Sequence, residues 1–312
     1  MGMRILEAKA SDFKGMKSSE LKDAIFLSEG RTIMAEVVCQ CPPLVDGVTN
    51  AELAGAFGAD MVLLNGYDVV SPCIFGMPSE ISSEMSLGFT RVSPGYGRII
   101  KDIKELIGRP VGINLEPSNP PYISQGRMAT PANAELALSQ GADFIVITGN
   151  PSTGVTNEDV VKAVRNIKNK LKDRLIIMAG RMHGAGVREE SGETLVNIEV
   201  IKALIEAGAD GVLIPAPGTI PGVTIEIAHK WIQFIHSNKC LAITTIGTSQ
   251  EGADHDTLRS LALNSKMVGA DIHHIGDAGF SGIAFPENIM TYSIAIKGRR
   301  HTYRRMALSP LR

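Results

Sequence analysis

A small set of acidic, basic and amide side chains stands directly after apolar, strand-like runs, where it could carry out acid and base chemistry. Carboxyl and imidazole groups transfer protons near neutral pH, and a guanidinium binds a carboxylate or phosphate through parallel hydrogen bonds. We therefore expect Glu116 to be a general base or metal ligand, His183 an acid or base, Arg181 an anion clamp and Asp277 a metal ligand or acid. The alternative for Arg181 and His183 is that both are solvated loop residues.

Further polar residues at strand ends suggest substrate and metal ligands. Asn65, Asn114 and Asn150 are candidate substrate-binding residues. Oxygen and imidazole groups from separate strands could together hold Mg²⁺, Mn²⁺ or Zn²⁺, and the candidate ligands are Glu36, Glu116, His273 and Asp277. Because adjacent residues of a strand face opposite ways, at most one of His273 and His274 enters the interior. Cys39 and Cys41 lack further clustered ligands and are expected to be small buried or rim residues.

A repeated Gly-Ala-Asp sequence sets the expected fold. It begins at Gly58, Gly141, Gly208 and Gly269, and each copy is followed by an apolar run. The glycine can end a helix in the left-handed conformation, and the run is typical of a buried parallel strand. Each interval is about twice the length of one strand-plus-helix unit, and each contains a further strand-like segment. Eight such units predict a single (β/α)8, or TIM, barrel, the alternative being an open doubly wound α/β sheet.

The remaining length is assigned to three segments of one domain, residues 1–312. Residues 18–30 predict an extra N-terminal helix, and the long connection 66–97 after the second strand is apolar enough to form a lid or a partner surface. The basic tail, residues 297–312, predicts a solvated helix face or a contact with acids of another subunit. We accordingly expect a homo-oligomer.

Strand alternation indicates which side chains face the barrel interior. On the third strand, Ile113 and Leu115 suit the helix-facing side, which leaves Asn114 and Glu116 inward. On the fifth strand, the same reasoning directs Ile176 and Met178 outward and Arg181 with His183 inward. The apolar neighbours of Glu36 leave its orientation open.

Two glycine-rich loops resemble those that bind phosphate in other barrels. They follow the seventh and eighth strands, read Gly247-Thr-Ser-Gln-Glu-Gly252 and Gly276-Asp-Ala-Gly-Phe-Ser-Gly282, and make the chain similar to the phosphate-binding (β/α)8 barrels of tryptophan and histidine biosynthesis. The resemblance implies a phosphate site formed by Gly247, Thr248, Ser249, Gly276, Gly279 and Ser281. Asp277 and Glu251 depart from it, because acids repel a bare phosphate. Residues 46–68 also resemble the phosphoenolpyruvate mutase and isocitrate lyase group, which implies a small carboxylated or phosphorylated substrate.

Composition and missing motifs narrow the function. With 31 Lys plus Arg against 33 Asp plus Glu, the net charge of −2 lacks the basic excess of a nucleic-acid binder. We expect no membrane span and, since no secretory signal is recognised, a cytoplasmic protein. No strand or strand end carries a lysine, and no dinucleotide fingerprint is present, so neither a Schiff-base lysine nor a nicotinamide or flavin cofactor is indicated.

These observations predict a barrel enzyme that acts on a small anionic, phosphorylated or carboxylated metabolite by proton transfer, as an isomerase or lyase. Two alternatives stay open. One is a metal-assisted hydrolase of a phosphoryl-type bond. The other is a non-catalytic barrel that binds a metabolite and a protein partner.

Overall fold

A computed structural model describes residues 2–79, 85–87, 90–150, 153–184, 187 and 192–312 of the chain. Its centre is a closed barrel of eight parallel strands in which each strand pairs with its neighbours in sequence and the first pairs with the last. The strands are β1 Thr32–Val38, β2 Met61–Asn65, β3 Val111–Leu115, β4 Phe144–Ile147, β5 Ile176–Ala179, β6 Gly211–Pro215, β7 Leu241–Ile246 and β8 Ile272–Ile275. The predicted TIM barrel is confirmed.

Ten α-helices accompany the strands in the described part of the chain. They are α1 Ala10–Gly15, α2 Ser18–Phe26, α3 Asn50–Ala56, α4 Ile100–Ile107, α5 Pro131–Ser139, α6 Asn157–Leu171, α7 Ile198–Glu206, α8 Ile225–Ser237, α9 His255–Met267 and α10 Pro286–Ala307. The helices α3 to α10 each follow one barrel strand. The predicted N-terminal helix is therefore shorter than 18–30 and is preceded by a second one. No helix of this part of the chain is both long and apolar enough to cross a membrane.

Several helices begin after a residue whose side chain accepts a hydrogen bond from an otherwise unpaired main-chain N–H of the first turn. The Thr130 hydroxyl accepts a hydrogen bond from the Asn133 amide, with Pro131 opening α5. At α6, the Thr156 hydroxyl accepts from the Asp159 amide while the Asp159 carboxylate accepts from the Thr156 amide. Both helices therefore begin directly after a capping threonine.

Two apolar clusters lie on the two faces of the barrel. The inner one contains inward side chains such as Met34, Phe144, Met178 and Leu213, and it continues into Ile25 of α2. The N-terminal helices thus close the end of the barrel at which the strands begin. The outer cluster packs the strands against the surrounding helices. Because the inner apolar filling ends below the carboxyl ends of the strands, that end is left for polar residues.

The aspartates of the Gly-Ala-Asp repeat have one shared structural role. In each copy the carboxylate accepts a hydrogen bond of 2.8 to 3.1 Å from the main-chain N–H of a residue near the start of the preceding strand. The aspartate N–H in turn donates to the carbonyl of that same residue. The pairs are Asp60 with Ile33, Asp143 with Val111, Asp210 with Ile177 and Asp271 with Ala242. The repeat therefore joins neighbouring strands two by two at the bottom of the barrel.

The basic tail takes part in the same arrangement. Lys297 Nζ and Arg305 Nε lie 2.5 and 2.8 Å from the Asp60 carboxylate, and all three side chains are buried. Although burial opposes ionisation, these two cations lower the pKa of Asp60. The prediction of a solvated or intersubunit tail is thus wrong for Lys297 and Arg305, because an internal aspartate holds both.

We expect Asp60→Asn to lower the free energy of unfolding by about 3 to 5 kcal/mol, since it leaves two buried cations without a carboxylate. The matched variant Asp210→Asn should cost less than about 1.5 kcal/mol, because the side chains of Lys22 and Lys168 stay partly exposed to solvent. Urea denaturation of both variants measures the difference. Equal losses would contradict the assigned role of the tail.

Candidate active site

The carboxyl ends of the strands surround a polar cavity of about 310 Å³. Its lining combines carboxyl, amide, hydroxyl, guanidinium and imidazole groups with glycine main chain: Glu36, Asn65, Asn114, Glu116, Tyr122, Ile123, Arg127, Thr148, Gly149, Asn150, Thr153, Met182, His183, Gly247, Gly276 and Asp277. The structure thus brings together Glu116, His183 and Asp277, as the sequence predicts, together with all three candidate asparagines. A cavity of this size accommodates a small metabolite.

Glu36 lines the cavity, and its carboxyl group is buried. Its Oε2 atom lies 2.9 Å from His274 Nε2, and its Oε1 atom accepts a hydrogen bond from the Asn114 amide. Glu36 is 3% exposed and His274 is fully buried. Since each carboxyl oxygen contacts a polar side chain inside the barrel, the inward orientation that the sequence left open is fixed by Asn114 on β3 and His274 on β8.

Asp277 follows β8 and has a different environment. Its Oδ2 atom accepts one hydrogen bond, of 2.7 Å, from the Asn65 amide. Burial raises the pKa of Asp277 to about 7, with help from the charges of Glu36 and Glu251 and against the effects of Asn65 and His274. The carboxyl therefore changes its protonation state near neutral pH.

Glu116 lies directly after β3 and pairs with Arg127. Arg127 Nη2 lies 2.6 Å from Glu116 Oε1, and the main chains are also joined, since the Glu116 N–H donates to the Arg127 carbonyl at 3.0 Å. Burial raises the pKa of Glu116, although Arg127 works against it. The predicted alternation of β3 is confirmed, because Ile113 and Leu115 belong to the outer cluster and Asn114 lines the cavity.

Arg127 is the residue that sequence reasoning missed. It belongs to a short 3₁₀ turn, Gln125–Arg127, in the loop between β3 and α5, where no strand alternation applies. Among the residues that the structure describes, it is the cavity-lining side chain with a permanent positive charge. An inventory of basic residues in the loops after each strand would have included it.

Arg181 lies outside the cavity. The predicted alternation of β5 is wrong, because Ile176 and Met178 belong to the inner cluster. Arg181 is 2% exposed and instead bonds to the start of α6, with its Nε atom 2.8 Å from Asn157 Oδ1 and its Nη1 atom 3.3 Å from the Val155 carbonyl. Its neighbour His183 does line the cavity, and burial lowers the pKa of His183, against the charge of Glu36.

Most of the predicted phosphate-binding residues do not line the cavity. Gly247 and Gly276 do, whereas the hydroxyl of Thr248 donates to the Thr219 carbonyl and that of Ser281 to the Pro42 carbonyl. Ser249 and Gly279 also lie outside the lining.

Glu251 belongs to the first glycine-rich loop, and its buried side chain contacts the second. It accepts from the Ala278 N–H at 3.2 Å, and burial raises its pKa. A fully buried acid thus lies between the loops that the sequence compares with a phosphate site.

The predicted metal ligands are only partly brought together. Glu36, Glu116 and Asp277 line the cavity, but His273 faces the helices, where Nε2 lies 2.9 Å from the Gly30 carbonyl. The expectation that at most one histidine of the pair enters the barrel is confirmed, and the one that does is His274. Within the described ranges, no three His, Cys, Asp or Glu side chains are arranged as a metal site.

The long connection after β2 does not cover the cavity in its described part. Residues 80–84 and 88–89 of the expected lid lie outside the described residues. Among residues 66–79 and 92–97, none lines the cavity, whereas Tyr122 and Ile123 from the connection after β3 do. Tyr122 is 66% exposed and stands at the opening.

We expect Glu36→Gln to lower the pKa of Asp277 below about 7, since it removes a nearby negative charge that disfavours ionisation. Titration of ¹³C-labelled aspartate carboxyls by NMR, with Asp277→Asn to assign the signal, measures the change. Glu135→Gln, a surface variant on α5, should leave it unaltered. An unchanged midpoint in Glu36→Gln would contradict the electrostatic coupling.

Solved structures resemble the chain in fold. It is similar to a Schiff-base-forming fructose-1,6-bisphosphate aldolase, at 14% identity over 88% of this chain and 98% of that one, with a TM-score of 0.52. Orotidine 5′-monophosphate decarboxylase from Methanocaldococcus jannaschii is also 14% identical, over 86% and 99% of the two chains, with a TM-score of 0.46. The likeness to the aldolase shows the barrel fold alone.

At the level of sequence, no curated protein was found to match the chain. One family model does match, over residues 6–312, and its description is "Domain of unknown function (DUF7916)". Because the match spans nearly the whole barrel, the chain belongs to this family.

Proposed function

We propose that the chain is an enzyme that transfers protons to and from a small anionic metabolite, carboxylated or phosphorylated, in an isomerisation or lyase reaction. One observation carries the proposal. Two cavity-lining carboxyls have opposite partners, since Glu116 faces a guanidinium whereas Asp277 accepts from a neutral amide and faces other acids. Burial raises the pKa of both carboxyls, to about 7 for Asp277, and the guanidinium of Arg127 opposes the rise at Glu116. Carboxyls with different electrostatic partners in one cavity are typical of a base and an acid that work together.

The residues divide the reaction into two proton movements. The Glu116 carboxylate removes a proton from a substrate carbon next to a carbonyl, and Asp277, protonated below about pH 7, donates a proton to the substrate oxygen. In an isomerisation of an α-hydroxy carbonyl compound, that oxygen is the carbonyl oxygen, and Glu116 returns its proton to the former carbonyl carbon while Asp277 takes back a proton from the neighbouring hydroxyl. In an elimination, that oxygen is the hydroxyl on the β carbon, which leaves as water as the carbon–carbon double bond forms. Glu116 and Asp277 then regain their starting protonation states by exchange with solvent.

Other lining groups position the substrate. Arg127 supplies a permanent positive charge for the anionic group, the role that the sequence assigns to Arg181. His183, whose pKa is lowered by burial, is neutral at pH 7 and can donate a hydrogen bond to a developing oxyanion. Asn65, Asn114 and Asn150 offer amides to hydroxyl or carbonyl oxygens.

The first test uses the exchange of carbon-bound hydrogen for deuterium, which requires only the proton abstraction. In D₂O, ¹H NMR of a panel of small carboxylates and phosphate esters should identify a compound whose exchange the protein accelerates. Glu116→Gln should slow that exchange by about 100-fold or more, because it removes the base. Glu135→Gln, the same change on α5, should retain it. Full exchange in Glu116→Gln would contradict the role of Glu116.

The same assay separates the alternatives that the sequence left open. Exchange that persists in excess chelator is the expected result. Loss of exchange that returns with a divalent cation would favour metal-assisted chemistry. A barrel that binds members of the panel without exchanging any of them would favour a non-catalytic binding protein.

A second prediction concerns pH. Since Asp277 acts while protonated, turnover of the identified substrate should fall as pH rises through about 7. The Glu116 base should produce the opposite limb, in which the rate falls as the pH decreases and the carboxylate is protonated. In Asp277→Asn the high-pH decrease should disappear from the remaining activity. A wild-type rate that stays level from pH 6 to 9 would contradict the assignment of Asp277 as the acid.

A further inference from the structure

The short turn that carries Arg127 is fastened on two sides. On one side it joins the end of β3, where the Glu116 N–H donates to the Arg127 carbonyl at 3.0 Å and the Ala129 N–H donates to the Glu116 carbonyl at 2.7 Å. On the other side it rests against the segment 66–71, which follows β2. Arg127 therefore extends into the cavity from a main chain held between two barrel strands.

Asp68 is the centre of the second contact. Its Oδ1 atom accepts the main-chain N–H groups of Val70 and Ser71 at 2.8 and 2.9 Å, so its side chain is fixed in a tight turn. Asp68 is 9% exposed. Burial raises its pKa, but hydrogen bonds from Ser124, Ser71 and Val70 and the charge of Arg127 lower it further, so the net shift is downward and the group stays ionised.

The turn approaches Asp68 too closely for any side chain. A Cβ atom at Gly126 would lie 1.7 Å from Asp68 Oδ1, and the Gly126 carbonyl accepts the Val69 N–H at 3.3 Å. The segment is held in turn by α5, because Gln140 Nε2 donates to the Val69 carbonyl at 2.8 Å. Gly126 thus allows the residue next to Arg127 to rest directly on the carboxylate.

We propose that Asp68 is a positioning residue for Arg127, and that through Gly126 it sets the affinity of the cavity for the anionic group of the substrate. This inference rests on the proposed function, in which Arg127 binds that group. It also gives a role to Asp68, an acid three residues beyond the end of β2 that lies outside the cavity lining. Asp68 acts on the cavity through the turn without contacting the ligand.

The test measures anion binding and does not require turnover. Acetate, malonate and inorganic phosphate are titrated separately into the wild-type protein and its variants by isothermal calorimetry. Asp68→Ala and Gly126→Ala should each weaken binding at least tenfold, about the effect of a displaced binding group. Asp68→Asn keeps an acceptor at Oδ1 and should stay within about threefold of the wild type.

Matched controls separate a local effect from general destabilisation. Asp46→Ala removes an exposed aspartate, and Gly15→Ala adds a methyl group where no atom lies within 4 Å. Both should bind the anions as the wild type does. Free energies of unfolding, measured in urea, should remain sufficient for every variant to be folded under the binding conditions.

The outcomes distinguish the role of Arg127 in the proposed function from the positioning role of Asp68. If Arg127→Gln binds every probe as tightly as the wild type, the anion clamp of the proposed function is wrong. If Arg127→Gln loses affinity but Asp68→Ala does not, only the positioning role of Asp68 is wrong.

A second measurement needs no ligand. The ¹⁵N NMR signals of the Arg127 guanidinium should shift or broaden in Asp68→Ala and stay unchanged in Asp68→Asn and Asp46→Ala. Identical Arg127 signals in wild type and Asp68→Ala would overturn the inference even if no probe binds.

Discussion

The contacts of the buried Glu36 carboxyl with His274 and Asn114 are the interactions around which the candidate site is arranged. A carboxylate in the interior of a protein is costly unless hydrogen bonds compensate it, and both oxygens of Glu36 have such partners. Its charge reaches the other titratable groups. It favours the protonated forms of Asp277, Glu116 and Glu251, and at His183 it opposes the effect of burial. The charge of Glu36 therefore acts in the same direction at all four groups, and the differences among them come from burial and from their other partners.

Residues at the bottom of the barrel stabilise the fold, whereas residues at the top form the candidate site. At the bottom, aspartates of the Gly-Ala-Asp repeat join neighbouring strands, and the N-terminal helices extend the inner apolar cluster. At the top, the apolar filling ends and carboxyl groups are stabilised by pairing. Glu36 faces His274 and Glu116 faces Arg127, while Asp277 accepts a hydrogen bond from the amide of Asn65. The pKa of Asp277 is raised to about 7, so this carboxyl is partly protonated near neutral pH.

The barrel could be predicted from the Gly-Ala-Asp repeat because each copy makes the same contact between two neighbouring strands. Strand periodicity also placed Asn114 and Glu116, since β3 alternates clearly between apolar and polar residues. It failed on β5, where Ile176, Ile177 and Met178 are all apolar and so provide no alternation to interpret. Arg181 and His273 were misplaced for related reasons, because strand-end position alone does not say whether a side chain faces the cavity or the helices.

Strand periodicity could not predict contacts made by side chains of loops or of the C-terminal helix. Arg127 meets Glu116 through a loop, and Lys297 and Arg305 reach Asp60 from the far end of the chain. The glycine-rich loops after β7 and β8 showed the same limit. Their hydroxyls, at Thr248 and Ser281, are directed by folding to main-chain carbonyls and not to the cavity.

The central claim is that burial and the neighbouring acids keep a proton on the Asp277 carboxyl near neutral pH. A neutron crystal structure at about pD 6, below the pKa of about 7 for Asp277, locates that proton most directly, because deuterium is visible in such maps. We predict a deuterium on the Asp277 carboxyl. A bare Asp277 carboxylate at this pD would contradict the account.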